Sequence, residues 1–595
     1  MLIKAMALEN FKGIREPVRI EFKPVTLLFG PNSAGKSTIL QALVYTREIM
    51  ERHNLDADRT LLGGEWLDLG GFQSLVHNHV HLDRSITIGF ELDLSNQDLP
   101  DYLSDSEGFL LEAWEYGRTP DVWLATANFV EFKLSIQWSN LINRPIVEKV
   151  HLNVDGQLLA EIRSSQDTKN IAIQFLNVGH PMFRDKFSSD GDPTLNWFGD
   201  ELLASAFVTQ HRILQKIGEE SKEEPEDSEP EDSSKVDNDI LESLNTIFAD
   251  VSPDQMDQAL RGTFTTVYRG IGLVGQVDAL PLRGQALQLD SSVWTSGDQS
   301  FDPYRSHSLE SDLLITSVFS GVIVGPIDLI CSQLDKLLYL GPFREIPPRH
   351  HQPTRSPDLS HWARGLAAWD ILMLEGKALT DRVNSWLEDD IHIGAPYRIE
   401  ARAYKQIDME GPLYRTLVNA HNLEDELMNS NLLDEYLSDA PIRRELKIVA
   451  SDSGTHLEPA DLGVGISQLI PVIVATLYAK SSLITIEQPE LHIHPAWQVV
   501  LGDLFLSQIR EKEISFLIET HSEHLMLRLL RRVRETTENE LPPGSPAASV
   551  DDIAVYYVAQ TEGRTTFEPL RIDSSGEFVD KWPNGFFEER AEELF

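Results

Sequence analysis

Hydrophobic positions change their period several times along the chain, and each change predicts a different element. The first 29 residues carry three apolar runs, "LIKAMALENF", "VRIEF" and "VTLLF", separated by turn residues, which predict strands. Directly after them, "GPNSAGKSTILQALVYTREIM" passes from a Gly-rich turn into helical spacing. From Ser85 to Phe175 apolar and polar positions alternate strictly: Ile86, Ile88, Phe90, Leu92, Leu94; then Val130, Phe132, Leu134, Ile136, Trp138; then Val150, Leu152, Val154 and Ile171, Ile173, Phe175. That period predicts an antiparallel β lobe with one wet face. A helical region follows, interrupted by "GEESKEEPEDSEPEDSSKVDND", whose eleven acidic and two basic residues and lack of apolar anchors predict a solvated linker. "KLLYLGPFREIPPRHH" predicts a strand ending at Gly341-Pro342 and then a loop; a mixed, largely helical stretch runs on to about 440. From Glu445 the order is strand, turn, helix, strand, helix, ending in a compact C-terminal segment. No fixed-period repeat or sustained heptad is visible.

These changes divide the chain into an N-terminal strand–turn–helix part (1–80), an antiparallel β lobe with a helix (81–217), an acidic linker (218–239) and a mostly helical insert (240–335). A strand with a helical insert (336–440), a C-terminal strand–helix–strand–helix part (441–540) and a small C-terminal domain (541–595) complete it. The expected fold class is α/β.

Composition narrows the function. The 595 residues, 41% hydrophobic and 24% charged, are those of an ordinary globular protein. The formal net charge of −43 is not ordinary, and it repels phosphate backbones. Direct DNA contact is therefore disfavoured unless a local basic patch or a partner supplies it. The single cysteine, Cys331, excludes an internal disulfide framework and fits a reducing, cytoplasmic location. The N-terminus lacks a signal-peptide pattern, and the uncharged stretch from Leu313 to Ile327 is shorter than the roughly 20 residues of a spanning helix, so no membrane association is expected.

Four motifs carry chemistry. "GPNSAGKS" (30–37) fits G-x-x-x-x-G-K-[ST] between an apolar strand and a helix. Backbone N–H groups freed by Gly30 and Gly35 would wrap the phosphates at the positive end of a helix, with Asn32 and Thr38 flanking the cradle. Lys36 would put a cation on the β/γ oxygens, and the Ser37 hydroxyl would ligate Mg²⁺. In "SSLITIEQPELHIHP" (481–495) a buried strand ends at Glu487, placed to hold Mg²⁺ directly or through a water, while Gln488 points where an attacking water would sit. In "DLGVGISQLIPVIVATLY" (461–478), Gly463, Gly465, Ser467 and Gln468 precede an apolar helix, a second anion-binding terminus suited to the γ-phosphate of a nucleotide on another subunit. In "ISFLIETHSEHLMLRLL" (514–530), His521 follows a strand and can report the γ-phosphate.

In this order the four elements resemble the ATP-binding cassette superfamily, in particular its SMC-like, non-transporter members and, within those, the overcoming-lysogenization-defect (OLD) type ATPases. "NFKGI", "LLFGPNSAGKSTILQAL", "YLGPFRE", "DLGVGISQLIPVI", "IEQPELHIHP", "ETHSEHL" and "WPNGFF" carry the resemblance, which covers about 1–85 and 335–595. The last motif is similar to that of a subgroup with a small C-terminal domain of unassigned function, often found in anti-phage defence beside a nuclease or toxin. The resemblance implies a split, two-lobed ABC/SMC-type ATPase head, with 1–80 and 441–540 as its two halves, and an ATP-sandwich homodimer or higher oligomer. Lys36 of one copy would face Ser467 of the other, with ATP and Mg²⁺ as cofactors. It further implies that Gln73, in "GGFQSLVHN", contacts Mg²⁺ and that His521 is the switch histidine. Gln488 departs from the pattern by standing where the superfamily has its catalytic glutamate. An amide positions a water but does not take its proton, so slow turnover is expected.

The function expected is an ATPase that dimerises on ATP and gates an effector, a nuclease or toxin. The alternatives are a RecF-type DNA-repair or DNA-sensing ATPase and a non-hydrolysing scaffold. Among discounted constellations, His77, His79 and His81 alternate but lack carboxylate or thiolate partners nearby. His492 and His494 suit packing. "RLLRRVR" (528–534) is expected to pair Arg528, Arg531 and Arg532 with acidic C-terminal residues rather than DNA.

Overall fold

The computed structural model describes residues 2–53, 69–79, 82–95, 127–177, 267–268, 271–290, 309–411 and 440–583, with a few isolated positions between them. They form two compact units, Met1–Arg84 with Cys331–Phe595, and Ser85–Ile330.

The first unit begins with an antiparallel hairpin, β1 (Ile3–Glu9) and β2 (Val18–Glu21), and continues into β3 (Val25–Phe29). All five residues of β3, "VTLLF", are buried, as expected of a strand with parallel neighbours and both faces covered. Helix α1 (Ser37–Arg52) leaves the Gly-rich loop, and a single turn, α2 (Phe72–Leu75), follows.

The second unit is built on the alternating segment: β4 (Ile86–Asp93), β5 (Phe129–Ser139), β6 (Arg144–Val154), β7 (Gln157–Ser164) and β8 (Ile171–Asn177) pair antiparallel in chain order. The period-two reading holds over this lobe. Within the insert expected to be mostly helical, short strands are added as well: β9 (Val267–Tyr268) and β10 (Ile271–Leu273) pair with β8, and β11 (Leu289–Asp290) pairs with β10. Such two- and three-residue strands complete the edge of an existing sheet and leave almost no periodic signature of their own. Helix α3 (Leu309–Asp335) comes next and contains the uncharged stretch. Among the described residues no helix is long and apolar enough to cross a membrane. The acidic segment 218–239 lies outside the described residues.

The rest of the first unit assembles a six-stranded sheet from distant pieces of chain. After β12 (Leu338–Leu340) come helices α4 (Leu359–Ala363), α5 (Leu366–Glu375) and α6 (Lys377–Glu388). A small antiparallel sheet of β13 (Tyr397–Lys405), β14 (Ile442–Ala450) and β15 (His456–Leu457) follows. Then come α7 (Val464–Tyr478), β16 (Ser481–Glu487), α8 (Pro495–Glu511), β17 (Glu513–Glu519), α9 (Glu523–Thr537), β18 (Ile553–Thr561) and β19 (Arg564–Leu570). The strand order is β12-β16-β17-β3-β18-β19, parallel except for the last pair. One apolar core, with Trp369, Phe505, Phe516 and the inward faces of α7 and α8, packs around this sheet.

The described part of the C-terminal segment does not stand apart. Within the small C-terminal domain expected over 541–595, β18 pairs with β3 and β19 with β18, so residues 553–570 extend the central sheet. Ile553, Val555 and Tyr557 are apolar on the core face, so their burial requires the sheet itself.

Candidate functional site

Strand β3 delivers the chain to Gly30, and the loop turns through conformations that side chains resist: φ is +147° at Gly30, +63° at Ser33 and +98° at Gly35. Helix α1 begins at Ser37, so its first N–H groups face the loop. Asn32 is exposed at the loop tip, whereas Thr38 is buried. Lys36 is only 4% exposed, and its Nζ donates to the carbonyls of Gly30 and Pro31, both at 3.0 Å. Burial lowers its pKa, and the carboxylates of Glu519, Glu490 and Glu487 oppose that shift.

Two of those carboxylates are carried by the ends of neighbouring strands, and Glu490 by the turn after β16. Glu487 and Glu519 are register partners in the parallel pair β16–β17. The Ser37 hydroxyl donates to Glu519 Oε2 at 2.6 Å, and Lys36 Nζ lies 3.9 Å from Glu519 Oε1. From β12, the Tyr339 hydroxyl donates to Glu487 Oε1 at 2.8 Å. Burial is the main cause that lifts Glu487 to about 7, and the negative charge of Glu519 adds to it, while Tyr339, Arg344 and Lys36 pull the other way. Burial also raises Glu519 and Glu490.

Gln488 turns the chain out of β16 with φ +45°, a left-handed conformation uncommon for a residue with a side chain, and its N–H donates to the Glu519 carbonyl at 2.8 Å. Glu490 fixes the loop after β17: Thr520 Oγ1 and the His521 N–H both donate to it at 2.7 Å. His521 is held neutral, its pKa lowered to about 4 by burial and by the nearby positive charge of Lys36.

Arg344, buried to 3% exposure, joins the second half of the site. Its Nη2 donates to the Glu487 carbonyl at 2.7 Å and to that of Gln488 at 3.4 Å. Its backbone carbonyl accepts from Gln468 Nε2, and its N–H donates to Gln468 Oε1 at 3.2 Å. The same residue thus ties the start of α7 to the end of β16. Burial pushes its guanidinium down to about 10 against the opposing effect of Glu490 and Glu487.

The donor set fits a magnesium-bound nucleotide. Glycines freeing N–H groups, a cation, a hydroxyl and carboxylates that burial makes reluctant to ionise all converge, and a divalent ion would offset the negative charge. Among the described residues no group of three or more His, Cys, Asp or Glu forms a cage of its own.

Two sequence-derived assignments meet a different geometry. Ser467 is fully buried and its hydroxyl donates to the Val464 carbonyl at 2.8 Å, because a residue one turn into α7 falls on the packed face. The exposed edge of that terminus is Gly463 and Val464, with Gly465 half-buried; a Cβ on Gly465 would stand 2.9 Å from the His492 carbonyl. Gln73 is exposed on α2 and its amide donates to the His79 carbonyl at 3.0 Å.

The discounted histidines have local work. His77 and His79 lie on a 3₁₀ turn rather than a strand, each bonding a carbonyl, and His81 lies outside the described residues. His494 caps α8. Arg528 and Arg532 pair with Asp503, and Arg531 and Arg532 with Glu535, within the unit; the acidic C-terminal residues expected as their partners lie outside the described residues.

Sequence reasoning assigned no role to Glu519, Glu490, Tyr339 or Arg344. A signal existed for Glu519: two apolar strands, β16 and β17, each end in glutamate, and adjacent parallel strands bring such ends together.

Comparison with known families agrees with this geometry. Residues 1–98 and 398–526 match the family model described as AAA ATPase domain. Those two segments are similar to an AAA ATPase domain. Residues 549–595 match a second model, described as a protein of unknown function (DUF3696). No curated protein matches the chain. Among solved structures, the SMC head domain from Thermotoga maritima is similar at 8% identity and a TM-score of 0.32, covering 96% of this chain and 100% of that one. An Smc head domain with a coiled coil and joint from Pyrococcus yayanosii is similar at 10% identity and a TM-score of 0.35, covering 100% and 99%. An Smc head bound to the C-winged helix domain of ScpA is similar at 9% identity and a TM-score of 0.34, covering 96% and 98%.

Proposed function

We propose that this AAA ATPase-domain protein binds and slowly hydrolyses Mg-ATP, and that nucleotide binding closes two copies face to face to gate a partner effector. The observation that carries the reading is the convergence of Lys36 and Ser37 on Glu519, beside Glu487. A phosphate cradle and two strand-end carboxylates at one point are what phosphoryl transfer requires, because that chemistry rests on positioning and charge. Ser37 and Glu487 would hold Mg²⁺, which would supply charge neutralisation at the phosphate oxygens. Lys36 orients the phosphates, neutral His521 offers an uncharged hydrogen bond beside them, and Gln488 positions the attacking water.

Slow turnover follows from Gln488, since losing a general base costs on the order of 10²–10⁴ in rate. The exposed start of α7 is the surface suited to a second copy's nucleotide. The effector, a nuclease or toxin in anti-phage defence, and a cytoplasmic setting rest on the family resemblance alone. A second reading, ATP as a structural clamp that is never cleaved, is favoured by Gln488 alone.

Release of labelled phosphate separates these readings. The wild-type chain is expected to release phosphate measurably above Lys36→Ala, and Gln488→Glu to release it faster by about tenfold or more. Wild-type release no greater than that of Lys36→Ala would leave only the clamp.

A further inference from the structure

Resting on the reading of the Lys36 loop as a nucleotide cradle, we propose that Thr565 is a positioning residue for that cradle. The β18–β19 hairpin, within the segment that matches the family of unknown function, then serves as the floor against which the phosphate loop is shaped.

Three glycines on two separate segments are fitted to this hairpin. A Cβ on Gly30 would stand 2.1 Å from the carbonyl oxygen of Val558 in β18. A Cβ on Gly35 would stand 2.6 Å from Thr565 Oγ1, and one on Gly13, in the "NFKGI" turn, 2.2 Å from the same oxygen. Glycine at Gly30 and Gly35 is therefore required twice, by positive φ and by a close approach.

Thr565 also bonds both segments. Its N–H donates to the Gly13 carbonyl at 2.7 Å, and its hydroxyl donates to the Ala34 carbonyl at 3.0 Å, one residue before Gly35. The side chain is 3% exposed. A phosphate cradle needs its N–H groups aimed inward, so the peptide carbonyls between them must be held outward. The Thr565 hydroxyl fixes one such carbonyl from outside the loop, without facing the phosphates itself.

Nearby packing holds the floor in place. Trp582 of the same C-terminal segment sits edge-on to Phe29, the last residue before Gly30, at 5.7 Å between ring centroids, and edge-on to Tyr557 at 6.3 Å. The hairpin's pairing with β3 and the Thr565 bond thus reach the loop from its strand side and its helix side.

The test compares full-length wild type, Thr565→Val and Thr565→Ser by Mg-ATP affinity (isothermal titration calorimetry) and thermal midpoint. Valine keeps the shape but removes the donor; serine keeps the donor. Thr565→Val is expected to bind Mg-ATP about fivefold more weakly, the worth of one hydrogen bond, while Thr565→Ser binds like wild type. Fitting the fraction of competent sites in each titration separates misfolded protein from a misshapen loop. Wild-type affinity in the competent fraction of Thr565→Val, or an equal loss in both variants, would overturn the proposal. Wild-type protein that does not bind Mg-ATP would instead refute the nucleotide reading beneath it.

Discussion

Burial acts on Glu487 and His521 in opposite electrical senses, which gives the site a measurable pH signature. Glu487 is raised from 4.5 to about 7, so the folded state holds a proton that the unfolded chain has released. Its contribution to stability is present below 4.5 and is lost as pH climbs to 7. His521 is lowered from 6.5 to about 4, so the unfolded chain takes up a proton first, and stability is lost as pH falls from 6.5 toward 4. In metal-free protein, Glu487→Gln should gain stability over wild type as pH rises between 4.5 and 7, with a flat difference above. His521→Asn should gain as pH falls below 6.5. Thermal melts across pH 5–8 read both effects, and a pH-independent Glu487→Gln difference would contradict the assignment. At this scale the sequence makes Lys36, Ser37, Glu487 and His521 legible as short motifs. The bond between Ser37 and Glu519 joins residues 482 positions apart, and that of Tyr339 to Glu487 spans 148. Strand order decides such pairs, and one sequence does not state strand order.

At the scale of elements, Arg344 is the joint between α7 and the end of β16. Its guanidinium holds the carbonyls of Glu487 and Gln488, while its own peptide is clasped by Gln468. A shift of α7 is therefore transmitted to the turn that carries Gln488. Lysine at this position keeps one positive charge but loses the planar fork that reaches two carbonyls. Arg344→Lys is expected to lower phosphate release by on the order of tenfold to a hundredfold while Mg-ATP affinity stays within about twofold. Affinity falling in step with turnover would show that Arg344 supports the whole fold rather than the turn. Periodicity read the long elements well: the β3, α1, α7, β16 and β17 segments have the expected type. It carried no signal for β9–β11, whose few residues pair at the edge beside β8, nor for the 553–570 hairpin, whose place beside β3 is a non-local choice.

Across the whole molecule, mixed α/β architecture and an antiparallel lobe were visible in the pattern, and the AAA ATPase domain match falls on both halves of the parallel-sheet unit. The net charge of −43 repels a nucleic-acid backbone, and Arg528, Arg531 and Arg532 are engaged in ion pairs with Asp503 and Glu535. On the proposed reading, nucleotide binding changes the relation between copies, with the exposed start of α7 meeting a second copy's site. Multi-angle light scattering of the full chain with Mg²⁺ and a non-hydrolysable ATP analogue tests this directly. The account predicts that the mass rises from that of one chain, 67.1 kDa, to that of two, and that Lys36→Ala stays at one. An unchanged wild-type mass with the analogue bound, or doubling in Lys36→Ala as well, would contradict it.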